Sequence, residues 1–425
     1  MKKLILFIMC LATQTAFAQP HKLQNCGNTC FLNASLQALY NITPLTNFLI
    51  QQKPTDQTIV GNYITLITQF RNTPQQTFGC SGTLGTLDKQ AYELMKSEEE
   101  GPVCGSQEDA TEFIWKFSEK LHNKYATDKE KENSPIKNFF HFLLISTINC
   151  PARTQDKGFS VPKTDDAQNL DLPIQNNSGK NLNSLQECLQ NYFAIEKIDE
   201  YIIYKKGMKE TAANIQEKRA DCTKQLKMSK APEILFISLK RFDNFGQKLH
   251  NQISIPEKLD IKNYVNTKGQ PTDYELISVI VQGGGAKGGH YWAYVRQPNN
   301  IWYRCDDQQV LQVSINDSQH KEQIEGGLQS NASGYLFIYQ RKDGWDKTVK
   351  AAPVTKPITI ETPAASPLAL ELQSLQKQLS SLETSLQQIE QNTPASEYKP
   401  TLEDIYNIGR HQGEKNLPRK YSDVD

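Results

Sequence analysis

The sequence predicts an α+β domain in which helices come first and a mostly antiparallel sheet comes last. Three observations predict it. Apolar residues recur at helical spacing early in the chain, short β-branched and aromatic runs separated by turn residues dominate its later part, and composition changes sharply after Arg341.

The early elements set the pattern. Leu32, Leu36, Leu39 and Tyr40 mark one apolar face, so a helix begins near Cys30, which falls in its first turn, with Gly27, Asn28 and Thr29 supplying turn and cap. Ser106-Gln107-Glu108-Asp109 has the form of a capping box, and Ala110, Phe113, Ile114, Phe117 and Leu121 follow at helical spacing. Segments 233–242, 274–282, 290–297, 301–305 and 334–341 then read as strands. A three-residue loop at 298–300 would place Asp306 across from Trp292, on the face of His290, with Asp307 pointing the other way. A loop one residue shorter or longer would reverse the faces.

The ends of the chain differ in kind from its middle. Lys2 and Lys3, an apolar run from Leu4 to Leu11 and Ala16-Phe17-Ala18 form the pattern of a secretory signal peptide over 1–18. That run is too short to span a bilayer and no longer one follows, so no membrane span is expected in the mature chain, which would be secreted. The expected domain is 19–342. A Pro/Thr/Ala-rich linker covers 343–367, and a short coiled coil covers 368–392, with Leu368, Leu372, Leu375, Leu379, Leu382, Leu386 and Ile389 spaced by four and three. Segment 368–389 is a candidate for self-association or partner binding, and 393–425 is a tail without strong signals.

Lysine plus arginine number 47 and aspartate plus glutamate 47, so no electrostatic footprint for nucleic acid is visible. The 9 cysteines fall without regular spacing, which indicates neither a disulfide scaffold nor a complete zinc site, and most read as buried thiols.

Cys30 is the position where chemistry would concentrate. A thiol is a nucleophile as its thiolate, and a helix N-terminus favours that form. It also needs a histidine to move the proton and a third group to orient the histidine. Among 7 histidines, His290 follows the glycines at 283–285, 288 and 289 and precedes a hairpin carrying Asp306. Glycines beside a catalytic histidine allow close backbone approach and suit a narrow channel for a thin peptide.

These residues sit in blocks that resemble a known family. "LQNCGNTCFLNASLQAL" is similar to the cysteine box of the ubiquitin-specific proteases, and "GGHYWAYVR" with "WYRCDDQQV" resembles their histidine box. "GSQEDATEFIWKFSEKLH" and "APEILFISLKRF" followed by "ISIPEKLDI" resemble two further blocks, in the family's order. The resemblance implies a papain-like hand, with a helical thumb, an antiparallel-sheet palm and extended β fingers. It implies Cys30 as nucleophile, His290 as base and acid, Asp306 as orienting acid and Asn25 as oxyanion donor. It further implies that Gln107, Asp109, Glu112, Gly288, Gly289 and Tyr291 meet the substrate, ubiquitin, with no cofactor.

Departures from the family pattern carry their own expectations. Where family fingers often hold zinc between two CxxC pairs, this chain offers single cysteines, Cys150 and Cys222, so no structural metal is expected and a disulfide between them is an open alternative. Cys26 replaces the usual leucine and reads as a small hydrophobe, with a Cys26–Cys30 disulfide as the other possibility. Gln282 stands where many members have histidine. The expected function is a thiol-dependent deubiquitinase cleaving after ubiquitin's C-terminal glycine, exported by a bacterium and acting in a host cell. The alternatives are a non-catalytic ubiquitin-binding module and a protease for a ubiquitin-like modifier.

Overall fold

A computed structural model describes residues 20–343 of the chain, except 53–55, 74–75, 97–104, 127–133, 151–158, 204–217, 267–268 and 286–287. The expected signal peptide at 1–18, the expected coiled coil at 368–392, the tail at 393–425 and nearly all of the expected linker lie outside the described residues. Helices α1 (Cys30–Tyr40), α2 (Thr43–Gln51), α3 (Ile59–Asn72), α4 (Thr83–Met95), α5 (Ala110–Tyr125) and α6 (Pro135–Phe140) come early, with the short strands β1 (Lys22–Leu23) and β2 (Thr77–Phe78) among them. Strands β3 (Phe142–Cys150), β4 (Phe159–Ala167), β5 (Asn169–Pro173), β6 (Glu196–Ile203), β7 (Lys218–Met228) and β8 (Ile234–Lys240) follow, with α7 (Leu185–Tyr192) between β5 and β6. The chain then forms β9 (Lys258–Asp260), β10 (Asp273–Gly285), β11 (Gly288–Arg296), β12 (Trp302–Asp306), β13 (Gln309–Val313), α8 (Ser318–Glu325) and β14 (Ala332–Arg341).

The strands form the palm and fingers. The large sheet runs β13-β12-β11-β10-β14-β8-β5 with β9 beside β10, and only the β5–β8 pairing is parallel. The alternation of its side chains builds two cores. Phe236, Ala293, Val295, Leu336 and Ile338 face the early helices, the thumb. Ile237, Trp292, Tyr294, Phe337 and Tyr339 pack in a second cluster with Leu185, Cys188 and Leu189 of α7. A separate sheet, β4-β3-β7-β6, makes the fingers. Of its strands, β7 was not legible because it is polar: it reads "KRADCTKQLKM" and lacks period-two alternation.

Helix α1 is buried from Cys30 to Leu39, not along one face as its leucines suggest. Asn33, Ser35 and Gln37 tolerate that position because each has a partner: Ser35 Oγ donates to Phe31 O at 2.7 Å, Asn33 Nδ2 donates to Asp307 Oδ1 at 2.8 Å, and Gln37 Nε2 donates to His21 O. At the helix end Asn41 Nδ2 donates to Ile277 O at 2.8 Å, which fixes the thumb's central helix on palm strand β10. Among the described residues no helix is long and apolar enough to cross a membrane.

Four of the described cysteines are paired, which corrects the reading of most as buried thiols. Cys150 and Cys222, both buried, join β3 to β7 in the fingers. Cys26 bonds Cys80, with Cα atoms 5.5 Å apart, and is neither a free hydrophobe nor the partner of Cys30. Geometry explains the choice: the parallel β1–β2 pairing runs both chains side by side into the bond, with Gln24 N donating to Phe78 O at 2.9 Å. Cys30, Cys188 and Cys305 remain free thiols.

Candidate active site

The hairpin that carries His290 has the expected register. Ala293 pairs with Cys305 and Arg296 with Trp302, Gln297 N donates to Ile301 O at 2.8 Å, and the loop is therefore 298–300 with Asn300 in a left-handed conformation, φ 66°. His290 is the third residue of β11 rather than its first, because the glycines before it belong to the ladder: Gly283, Gly284 and Gly285 pair with His290, Gly289 and Gly288. Two of these glycines are required. Gly284 has φ +92°, and a Cβ on Gly289 would lie 2.2 Å from Gly283 O.

Gln282 and Lys248 fasten this hairpin. Gln282 Nε2 donates to Gly283 O and to Gly285 O, both at 3.1 Å. The Lys248 ammonium donates to Gln282 Oε1 at 2.7 Å, Gln282 O at 2.9 Å, Asn331 O at 3.0 Å and Gly284 O at 3.2 Å. Burial, with a smaller effect from Arg241, lowers the Lys248 pKa to about 8. Nothing in the sequence pattern singled out Lys248, since its partners are mostly carbonyls supplied by the fold.

His290 Nε2 lies 2.6 Å from Asp306 Oδ1, and the Cys30 side chain is close enough to the His290 ring to act on its charge. With Nε2 engaged by the carboxylate, Nδ1 is the nitrogen left for the thiol. The Asp306 hydrogen bond, and after it the Cys30 side chain, hold the imidazole's pKa up to about 10 against its burial. Burial pushes the Asp306 carboxyl up, but His290 and Arg304 outweigh it and the net shift is downward. Arg304 Nη2 donates to Asp306 Oδ2 at 2.6 Å while its guanidinium lies over the Trp292 ring at 5.1 Å. The two other free thiols among the described residues are unsuited to nucleophilic work: burial raises the Cys188 pKa to about 11 and that of Cys305 further.

Asp307 does not point away from the site as a continuing strand requires. Its φ is 51°, so alternation ends with β12, and its carboxylate lies within 4.8 Å of those of Asp306 and the ring of His290. It accepts from Asn25 Nδ2 at 2.9 Å and from Asn33 Nδ2 at 2.8 Å, and its carbonyl accepts from Leu23 N at 3.0 Å. The Asn25 oxygen accepts from Thr29 N at 3.1 Å and Gly27 N at 3.2 Å, which fixes which end of the amide faces Asp307. Thr29 itself makes no capping bond to α1, so its hydroxyl serves this loop instead, accepting from Cys26 N at 2.8 Å. Sequence reasoning missed Asp307; the only signal was its adjacency to Asp306.

The remaining candidates divide. Asp109, not Ser106, caps α5: its Oδ1 accepts from Thr111 N at 2.7 Å and Glu112 N at 3.0 Å, and Ser106 turns to Glu108 instead. Asp109 Oδ2 accepts from Tyr335 at 2.7 Å and more weakly from Tyr291 at 3.4 Å, so Tyr291 braces the cap. Gln107 Oε1 accepts from Gly289 N at 2.7 Å and ties α5's entry to the glycine hairpin. Glu112 is exposed beside Lys116, and Gly288 has open space where a side chain would be. Asp109, Glu112 and Asp171 line a cleft of about 330 Å³ with Trp115 and Tyr335.

A thiol beside an imidazole that a carboxylate holds, with an oriented amide nearby, can make and break an acyl thioester. Residues 21–339 match the sequence profile described as ubiquitin carboxyl-terminal hydrolase. The chain is 28% identical over 314 residues to ubiquitin carboxyl-terminal hydrolase 17-like protein C of Mus musculus, covering 69% of this chain and 51% of that protein. It is 30% identical over 305 residues to ubiquitin carboxyl-terminal hydrolase 25 of Arabidopsis thaliana, covering 68% and 44%. The chain thus spans about half the length, or less, of these curated relatives. The fold is similar to that in the structure of the SAGA Ubp8/Sgf11/Sus1/Sgf73 DUB module bound to ubiquitin aldehyde, with TM-score 0.59 at 23% identity over 76% of this chain and 69% of that one. With the family profile covering the thumb, fingers and palm together, the chain belongs to the ubiquitin carboxyl-terminal hydrolase family.

Proposed function

We propose that this chain is a thiol-dependent deubiquitinase that hydrolyses the peptide or isopeptide bond after the C-terminal glycine of ubiquitin. The observation that carries the proposal is the series Cys30–His290–Asp306 with the Asn25 amide beside it. His290 keeps its proton through neutral pH beside Cys30, whose sulfur, as the thiolate, attacks the glycine carbonyl carbon. Charge collects on the carbonyl oxygen, where the Asn25 amide and the N–H of Cys30 at the start of α1 are the available donors. As the C–N bond breaks, His290 gives its proton to the leaving amine, and water, deprotonated by His290, then cleaves the thioester. The glycine hairpin and Gln107 leave backbone in place of side chains along the approach, which suits a thin C-terminal tail. Asp109, Glu112 and Asp171, in a cleft that Lys240 and Arg241 also line, offer carboxylates to basic residues in such a tail.

Steady-state hydrolysis of ubiquitin bearing a fluorogenic C-terminal amide tests this reading. Turnover that vanishes in Cys30→Ala supports it. Ubiquitin binding without turnover in the wild type would favour the non-catalytic module, and turnover confined to another modifier would favour the second alternative.

The same proposal includes where the enzyme acts: exported by a bacterium through a cleaved leader and working on host ubiquitin conjugates. Its supports are the leader pattern at 1–18 and the two disulfides, which persist in oxidising compartments. Finding the protein only inside the producing cell during infection would contradict it. The proposed role of 368–389 in self-association is read by the oligomeric state of chains with and without that segment.

A further inference from the structure

We infer that the Cys26–Cys80 disulfide is a positioning element for the Asn25 amide, so that this enzyme turns over fastest with that bond formed. The inference rests on the proposed function, because it depends on Asn25 serving the oxyanion.

Asn25 is exposed and sits on a loop whose backbone is left-handed at two consecutive residues, Gly27 at φ 98° and Asn28 at φ 56°. Such a loop has few apolar contacts to hold it, and its order comes from named ties. The Asn25 oxygen is held by Gly27 N and Thr29 N, and one amide hydrogen is held by Asp307 Oδ2. The second amide hydrogen is left for a substrate oxygen. These ties fix the amide relative to its own loop and to Asp307. The loop is tied to the thumb by Tyr92 OH donating to Gly27 O at 3.0 Å, Asn33 Nδ2 to Gln24 O at 3.2 Å and Asn28 Nδ2 to Gly105 O at 2.6 Å, and on the Asn25 side by β1–β2, a ladder of only two residue pairs, extended by Gln24 N to Phe78 O at 2.9 Å and Cys80 N to Gln24 Oε1 at 3.1 Å. A ladder that short is marginal without reinforcement. The disulfide closes it one residue after Asn25, the nearest covalent anchor the amide has. It also keeps the Cys26 thiol from pairing with Cys30, four residues on.

An oxyanion donor works only when held where the charge develops, and a displacement of about 1 Å costs on the order of a hundredfold in rate. A loop loosened but still tied to Asp307 should lose part of that, about tenfold in kcat. The ordinary expectation for a thiol enzyme is that breaking disulfides helps or is neutral. Here the sign is opposite.

The test is kcat and KM on fluorogenic ubiquitin for Cys26→Ser/Cys80→Ser and for Cys26→Leu/Cys80→Ser, each alone and combined with Asn25→Ala, with thermal melts confirming folded protein. The leucine pair refills the half-buried position 26, so it preserves the fold if serine does not. The expected result is a loss of about tenfold in kcat with KM within about twofold, shrinking to less than about twofold in the Asn25→Ala background. Unchanged kcat in both folded pairs would overturn the inference. So would an equal loss with and without Asn25, which would make the bond a general staple. Wild-type turnover in the same assay reports the proposed function itself, so a silent wild type and an indifferent disulfide are separate results.

Discussion

The Asn25 side chain donates to the Asp307 carboxylate over 2.9 Å although the two residues are 282 apart in sequence. One acidic pair therefore serves two parts of one site: Asp306 holds the imidazole, and Asp307 holds the amide proposed as the oxyanion donor. Removing Asp307 should leave the Cys30–His290 pair intact and free the amide. Asp307→Ala should lower kcat by on the order of tenfold to a hundredfold with little change in KM, and Asp307→Asn, whose carbonyl still accepts, should lose less. A rise in KM at constant kcat would show that Asp307 acts on substrate binding instead.

The pH profile follows from His290. Its pKa is raised to about 10, so its interactions with Asp306 and Cys30 stabilise the fold fully below the unfolded value of 6.5 and lose that contribution as pH rises through about 10. Turnover should hold through neutral pH and fall on the alkaline side. Asp306→Asn removes the largest cause of the raised value, so its alkaline limb should move to lower pH as kcat falls. An alkaline limb that stays in place in Asp306→Asn would contradict the assigned geometry.

Lys248 makes four hydrogen bonds to the glycine hairpin and its support. Lys248→Met should loosen the backbone at Gly284 and Gly289, where the substrate tail would pass. Measured by Michaelis–Menten kinetics, KM should rise severalfold while kcat changes less, since the Cys30–His290–Asp306 series does not contact Lys248.

The fingers have their own staple. Cys150–Cys222 closes a separation of 72 residues, so opening it should cost about 4 kcal/mol of stability in the chain-entropy account. Calorimetry of Cys150→Ser/Cys222→Ser should show a lower melting temperature. An unchanged melting temperature would mean that finger unfolding is uncoupled from the domain.

Much of the site was legible because its residues lie in dense local patterns. The three-residue loop at 298–300 was enough to place Asp306 on the face of His290, since strand periodicity leaves only two choices. What was not legible depended on long-range placement or on local conformation. Asp307 leaves its expected face because its φ is 51°, which alternation cannot anticipate. Cys26 finds Cys80 through a two-residue parallel ladder too short to read from sequence. The capping box misled by one turn: Asp109 has the cap, and its other oxygen answers two palm tyrosines that only the fold brings near. Helices α2, α3 and α4 were passed over, although Thr58 caps α3 through Gly61 N.

The measurement that tests Cys30 most directly is intact-mass labelling of the disulfide-bonded protein with ubiquitin whose C-terminus is an electrophile. One ubiquitin should add to the wild type and none to Cys30→Ala, while Asp307→Ala is labelled at a rate closer to wild type than its kcat. No adduct on folded wild-type protein, or an adduct that persists in Cys30→Ala, would contradict the assignment of Cys30 as the nucleophile that receives ubiquitin.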